Sequence, residues 1–196
     1  MRPSSTSRAT PPSARSPGSC ASTSSLSSLR LFFALWPPRD AAEALHAWAR
    51  AVHDDCGGRV TRIETIHLTL AFLGGVAQER LPILKSLPLK GGKFLLPIDT
   101  ARYWNHNQIV WVGPSAIPPG LAEAVTSLES LLKKNQFRTE QRPFAAHITL
   151  IRKARAPQSI PALPALTWPA SELVLVRSQL SGKGSRYEVL QCYPLS

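Results

Sequence analysis

Cysteine is scarce in this chain: Cys20, Cys56 and Cys192 are widely spaced and form no C-x-x-C pair. An odd, scattered set argues against a disulfide scaffold or a zinc ribbon and fits the reducing cytoplasm, where the protein is expected to reside. Long apolar runs are also missing. The longest near the start, residues 31–36, falls far short of the roughly 18 residues that span a bilayer. It is also too short for a signal-peptide core, so no membrane association is expected. There is no G-x-S-x-G elbow, no Walker loop, no G-x-G-x-x-G and no H-E-x-x-H. Serine-esterase, P-loop, dinucleotide and zincin chemistries therefore lack their sequence signatures.

Acid is the remaining shortage. Twelve Asp and Glu stand against 23 Lys and Arg, a net charge of +11, and no acid precedes Asp40. Residues 1–28 hold Arg2, Arg8 and Arg15, which leaves 20 basic residues against 12 acidic ones, or +8, in residues 29–196. The basicity belongs to the folded part and favours phosphate-bearing partners. Residues 1–28 are rich in Ser, Thr, Pro and Arg and nearly devoid of large apolar side chains. Such a segment cannot bury enough surface to offset its ordering entropy, so a disordered extension is expected there. Its composition also suits an organelle transit peptide, but no amphipathic helical pattern accompanies it. Residues 29–196 are expected to form one domain.

What is present reads as alternating strands and helices. Residues 30–36 (RLFFALW) make a buried strand stopped by Pro37-Pro38, and residues 39–55 an amphipathic helix ending before Gly57-Gly58. Residues 65–73 form a strand closed by Gly74-Gly75, followed by a helix over 78–87 with Pro82 in its first turn. Residues 93–103 and 108–112 read as a hairpin around Asn105-His106-Asn107. Pro118-Pro119 opens a helix running to about residue 135, with Leu121, Val125, Leu128 and Leu132 on one face. A strand over 146–152 follows, then a proline-rich surface loop over 156–170. Strands over 172–180 and 187–193, joined by Gly182-Lys183-Gly184, end the chain. Hairpins among the alternating elements point to an α+β fold with antiparallel or mixed sheets.

One tetrapeptide occurs twice. His67-Leu68-Thr69-Leu70 returns eighty positions later as His147-Ile148-Thr149-Leu150. In a strand, each copy turns His and Thr to one side and two aliphatics to the other. Two such pairs facing one cleft supply two proton-transfer groups and two hydroxyl donors, a set suited to in-line attack at phosphorus. His67 and His147 are the candidate proton-transfer pair, one serving as acid and the other as base, with Thr69 and Thr149 on the non-bridging oxygens. Arg152 adds a charge-assisted donor, although simple alternation places it on the face opposite His147. No metal or other cofactor is required. His46, His53 and His106 read as surface or capping residues, and Trp104 as either a base-stacking platform or a partly buried hairpin residue. Cys56 near His53 offers thin support for a thiol nucleophile.

These motifs with their flanks resemble a known family. Residues 30–34 (RLFFA), 67–74 (HLTLAFLG), 110–113 (VWVG), 142–150 (RPFAAHITL) and Arg186-Tyr187 are similar to the two-histidine phosphoesterase superfamily. Within it they resemble the RNA 2′,3′-cyclic phosphodiesterases, also named 2′-5′ RNA ligases, over residues 29–195. The resemblance implies a bilobal fold with two pseudo-symmetric sheets flanked by helices around a central cleft. It implies metal-independent opening of a terminal 2′,3′-cyclic phosphate on RNA to a 2′-phosphate. His67 would protonate the leaving oxygen and His147 would activate water, while Thr69 and Thr149 hold the phosphate and Arg152 matches a basic position after the second motif. Ala146 stands where members often carry Pro, a difference at the strand entry. RNA with cyclic phosphate ends or small cyclic nucleotides are the expected partners, bound by a monomer. Ligation of RNA ends, hydrolysis of small nucleotide cyclic phosphates, and RNA binding without turnover are the alternatives.

Overall fold

The computed structural model describes residues 28–140, 142–181 and 184–196. Of residues 1–28, expected to form a disordered extension, residues 1–27 lie outside them and Ser28 opens the first strand, and residues 182 and 183 of the last turn also lie outside. The chain begins with β1 (Ser28–Leu35) and α1 (Arg39–Cys56). Proline at 37 and 38 separates the two, because neither ring nitrogen can donate to a ladder or a helix. Helix α1 buries Ala42, Leu45, Trp48, Ala49 and Val52, the stripe that three-to-four spacing dictates. It ends at Gly57 (φ 64°), whose N–H donates to the His53 carbonyl, a left-handed stop suited to glycine.

β2 (Arg59–Val60) and a short 3₁₀ turn lead into β3 (Leu68–Ala77), then a second 3₁₀ turn and α2 (Leu81–Lys85). β4 (Phe94–Ile98), β5 (Thr100–Trp104), β6 (Ile109–Gly113) and α3 (Pro119–Lys134) follow. The chain closes with β7 (Ile148–Arg152), β8 (Leu166–Ala170), β9 (Glu172–Ser181) and β10 (Gly184–Pro194). One sheet runs β10-β9-β1-β3-β7-β6-β5, with β2 also on β7, and β4 pairs with β8 in a separate ribbon. Every pairing among the described residues is antiparallel.

The large sheet has two halves that barely touch. β3 and β7 share a single register pair, Leu68 opposite Ile148, so the two motif strands cross at the seam between lobes. Both residues are fully buried. The helices and the β4–β8 ribbon cover one face of the sheet in a common core with Leu31, Phe33, Leu35, Leu68, Leu150 and Ile151. The other face carries a smaller cluster of Phe32, Ala34, Val174 and Val176, flanked by Trp36, Phe72 and Tyr187. That uncovered face bears the site.

Several boundaries differ from the sequence expectation, each for a physical reason. The predicted strand 93–103 is two strands, split at Asp99, where the chain leaves β8 for β6 and the Asp99 carboxylate accepts from the Ser115 N–H (2.6 Å) and hydroxyl (2.8 Å). Part of the predicted proline-rich loop is strand β8, in register with β4. Pro97 and Pro169 are tolerated because a two-stranded ribbon consists only of edges. The rest of that loop is tied down: Trp48 Nε1 donates to the Pro161 and Ala162 carbonyls, and the Gln158 N–H to Asp55. β3 does not close at Gly74-Gly75 but continues to Ala77, with Gly74 (φ 67°) absorbing a register shift against β1. Both motif strands start just after their histidines, not before them.

Candidate active site

The seam pair explains how two distant tetrapeptides meet. With Leu68 opposite Ile148 in an antiparallel ladder, the flanking positions face each other crosswise, His67 toward Thr149 and His147 toward Thr69. All four line one cavity of about 150 Å³ together with Arg59, Arg62, Arg152 and Tyr187.

A matched pair of β-bulges completes the geometry. Along β1–β3 the register steps from Phe33–Ala71 to Ala34–Thr69, skipping Leu70. Along β6–β7 it steps from Val110–Ile151 to Trp111–Thr149, skipping Leu150. Each motif therefore buries two consecutive residues, Leu70-Ala71 and Leu150-Ile151, and side-chain parity inverts afterwards. The fifth residue after each histidine returns to the cleft face. In one lobe it is Phe72; in the other it is Arg152, which lines the cavity. Strict alternation excluded Arg152 from the site, and the extra residue at Leu150 restores it.

The two imidazoles are held alike. His67 Nδ1 lies 2.7 Å from the Thr65 carbonyl and His147 Nδ1 2.8 Å from the Ala145 carbonyl. A carbonyl only accepts, so Nδ1 carries the proton in both rings, and Nε2 is left for a ligand in the cavity. Glycine at 113 allows the second of these placements. A Cβ there would sit 2.5 Å from the Ala146 carbonyl oxygen and 3.5 Å from the His147 Cα. Gly113→Ala is expected to displace the His147 backbone, costing roughly 1–3 kcal/mol of stability and about tenfold or more in activity. Denaturant unfolding and initial rates measured on the same preparation check both effects.

The surroundings of the rings differ. His67 stacks on Trp36 (5.0 Å between centroids, 13°) and contacts Phe32 and Tyr187 at 5.0 and 5.2 Å. Desolvation in this aromatic box lowers its pKa to about 4, against the favourable bond to Thr65; the Arg152 charge adds to the lowering. His147 is packed by Trp104 (4.7 Å) and Trp111 (6.3 Å) and is also lowered, again chiefly by burial. An unfolded-chain imidazole titrates near 6.5, so between pH 6.5 and 4 the unfolded state binds more protons at His67. The stability owed to the neutral ring is complete above about pH 6.5 and lost as pH falls through about 4, roughly 3–4 kcal/mol in all. His67→Phe is expected to flatten that part of the profile, which urea midpoints from about pH 7 to 4 would display.

The remaining sequence candidates separate cleanly. Trp104 packs on His147 and on Trp111 (4.7 Å), so its inner face serves the histidine. His106 is exposed beside it in the hairpin turn. His53 Nε2 contacts the Gly58 carbonyl at the end of α1. Cys56 is fully buried, and burial raises its thiol pKa, which removes it as a nucleophile. Arg59, Arg62, Trp36 and Phe32 escaped the motif reading. For the two aromatics the signal was there: alternation along residues 30–36 puts Arg30, Phe32, Ala34 and Trp36 on one face. Among the described residues, no group of three or more His, Cys, Asp or Glu could hold a metal ion, and no helix is long and apolar enough to cross a membrane.

Two histidines presented by pseudo-symmetric, bulged strands at a lobe seam, with threonines and arginines around them, make up the candidate site. The profile of the LigT-like phosphoesterases matches twice, over residues 35–111 and 112–187, one match per motif. The chain belongs to this two-histidine family. It is similar to the RNA 2′,3′-cyclic phosphodiesterase of Escherichia coli, 33% identical over 174 residues, covering 85% of this chain and 97% of the relative. The Thermus thermophilus protein of the same name is also 33% identical, covering 85% and 90%. The crystal structure of E. coli LigT complexed with 3′-AMP superposes with a TM-score of 0.80 at 30% identity, covering 87% of this chain and 99% of that one.

Proposed function

We propose that the protein hydrolyses 2′,3′-cyclic phosphodiester ends of RNA to 2′-phosphomonoesters, using His67 and His147 as an acid–base pair. The observation that carries this reading is the shared tethering of the two rings. Each Nδ1 is committed to a backbone carbonyl two residues back, and each Nε2 serves the same small basic cavity. The charge of that cavity, with three arginines among its lining residues, suits a phosphate. Two of the named relatives carry the same activity in their names.

Neutral His147 takes a proton from the attacking water through Nε2, and the water oxygen bonds to phosphorus. The P–O3′ bond breaks, and the departing oxygen receives the Nε2 proton of His67. Both rings are neutral near pH 7 in the empty site, because burial disfavours the imidazolium. A bound phosphate anion offsets the opposing Arg152 charge and favours protonation of His67. Thr69 and Thr149 donate to the non-bridging oxygens, and Arg152 balances the charge that builds there in the transition state. The reaction runs in the cytoplasm on a monomer.

Incubating the protein with an oligonucleotide ending in a 2′,3′-cyclic phosphate, and identifying the phosphate isomer, tests the reading. A 2′-phosphate is expected, at a rate unaffected by EDTA. Release of a 3′-phosphate would reverse the direction of opening, and loss of turnover with EDTA, regained with a metal, would refute the two-histidine mechanism.

A further inference from the structure

The cavity holds more positive charge than a single phosphodiester requires. A 2′,3′-cyclic phosphate carries one negative charge, and Thr69, Thr149, Arg152 and the two imidazoles already match it. Arg59 and Arg62 also line the cavity, and no Asp or Glu does. Neither arginine forms an ion pair among the described residues.

Arg59 is paired directly across β2–β7 with Arg152. Like charges directly opposite in an antiparallel ladder destabilise it. The surrounding backbone nevertheless enforces the arrangement. Gly58 (φ 88°) brings β2 so close to β7 that a Cβ would lie 2.6 Å from the Arg152 carbonyl oxygen. The Thr61 N–H and hydroxyl donate to the Leu150 and Thr149 carbonyls, at 2.7 and 2.9 Å. Arg62 is fixed as well: its Nη2 donates to the Ser185 carbonyl of β10 (2.8 Å), across the cleft mouth. The Arg62 guanidinium is thus held, and the Arg59 backbone fixed, beside the cavity, which no acid lines.

We infer that Arg59 and Arg62 form a second phosphate subsite, which takes the phosphate on the 5′ side of the terminal nucleotide. This rests on the cyclic phosphodiesterase reading and narrows it. The preferred substrate is a chain, or a nucleotide bearing a 5′-phosphate, rather than a lone nucleoside cyclic phosphate. Guanidinium groups suit this role because their planar fork donates two parallel hydrogen bonds to phosphate oxygens.

The test compares adenosine 2′,3′-cyclic phosphate with the dinucleotide ApA ending in a 2′,3′-cyclic phosphate, using the wild-type chain, Arg59→Gln, Arg62→Gln and Arg59→Lys. The wild type is expected to favour the dinucleotide by about tenfold or more in kcat/KM. Each Gln variant should lose several-fold of that preference, mainly through KM, with partial retention in Arg59→Lys. Equal use of both substrates by the wild type, or an equal fall on both in the variants, would overturn the subsite. If neither substrate turns over, the failure belongs to the assigned activity. Calorimetric titration then still decides the subsite, since adenosine 3′,5′-bisphosphate must bind about tenfold tighter than adenosine 3′-phosphate. Equal binding of the two would refute it.

Discussion

Replacing either histidine by alanine is expected to lower the rate of cyclic-phosphate opening by roughly 10²–10⁴-fold, with the fold retained. The size of the effect follows from the tethering. Both rings have one nitrogen spent on a backbone carbonyl, so alanine removes the only proton-transfer atom each motif offers. The two replacements should differ in stability. His67 fills an aromatic box of Trp36, Phe32 and Tyr187, and its loss leaves a void between large rings. His147 lies against Trp104 on the more open side, where water can take its place. Circular dichroism and thermal melts confirm the fold, and single-turnover rates give the chemical effect. Activity near the wild-type level in either variant would refute the acid–base pair. The double variant should be little slower than the slower single one, because the groups act as a unit in one transition state.

Arg152→Ala is expected to cost about 10²–10³-fold, mostly in kcat. Arg152 is exposed and forms no ion pair among the described residues, so its removal should leave stability within about 0.5 kcal/mol. Its lowering effect on His67 and His147 would vanish with it, so both rings should titrate somewhat higher in the variant. NMR titration of the two imidazoles measures that shift independently of turnover. Arg152→Lys should recover only part of the rate, because an ammonium cannot donate two parallel bonds to phosphate oxygens. Equal rates for Arg, Lys and Ala at this position would remove it from the site.

The structure also shows how the two lobes differ at one equivalent position. Phe72 is the counterpart of Arg152, brought to the cleft by the same bulge. Its ring carries the Arg30 guanidinium at 4.6 Å from the centroid, a cation–π contact. The repeated frame thus carries an arginine at this position in one lobe and a phenylalanine in the other.

The α+β class, the order of its main elements and the four residues of the repeated motifs were legible in the linear chain. Each of these depends on local periodicity, on turn chemistry or on a literal repeat. The helix stripe of Leu121, Val125, Leu128 and Leu132 is buried as its spacing requires. The split of residues 93–103, the conversion of 166–170 into a strand and the continuation of β3 to Ala77 were not legible. They depend on which strand lies alongside, and no local pattern carries that information. Arg152 was named as a phosphate donor from the sequence, but its route to the cleft was not legible. Period-two alternation sends it away from His147, and only the register of β7 against β6 inserts the residue at Leu150 that brings it back. Arg59 and Arg62 belong to no sequence motif, and they join the cavity only because β2 lies against β7 and Arg62 reaches β10. Residue identity singled out the two histidines and the two threonines. Strand registry, a cooperative property of the whole sheet, decided which cations surround them and how dry each imidazole is.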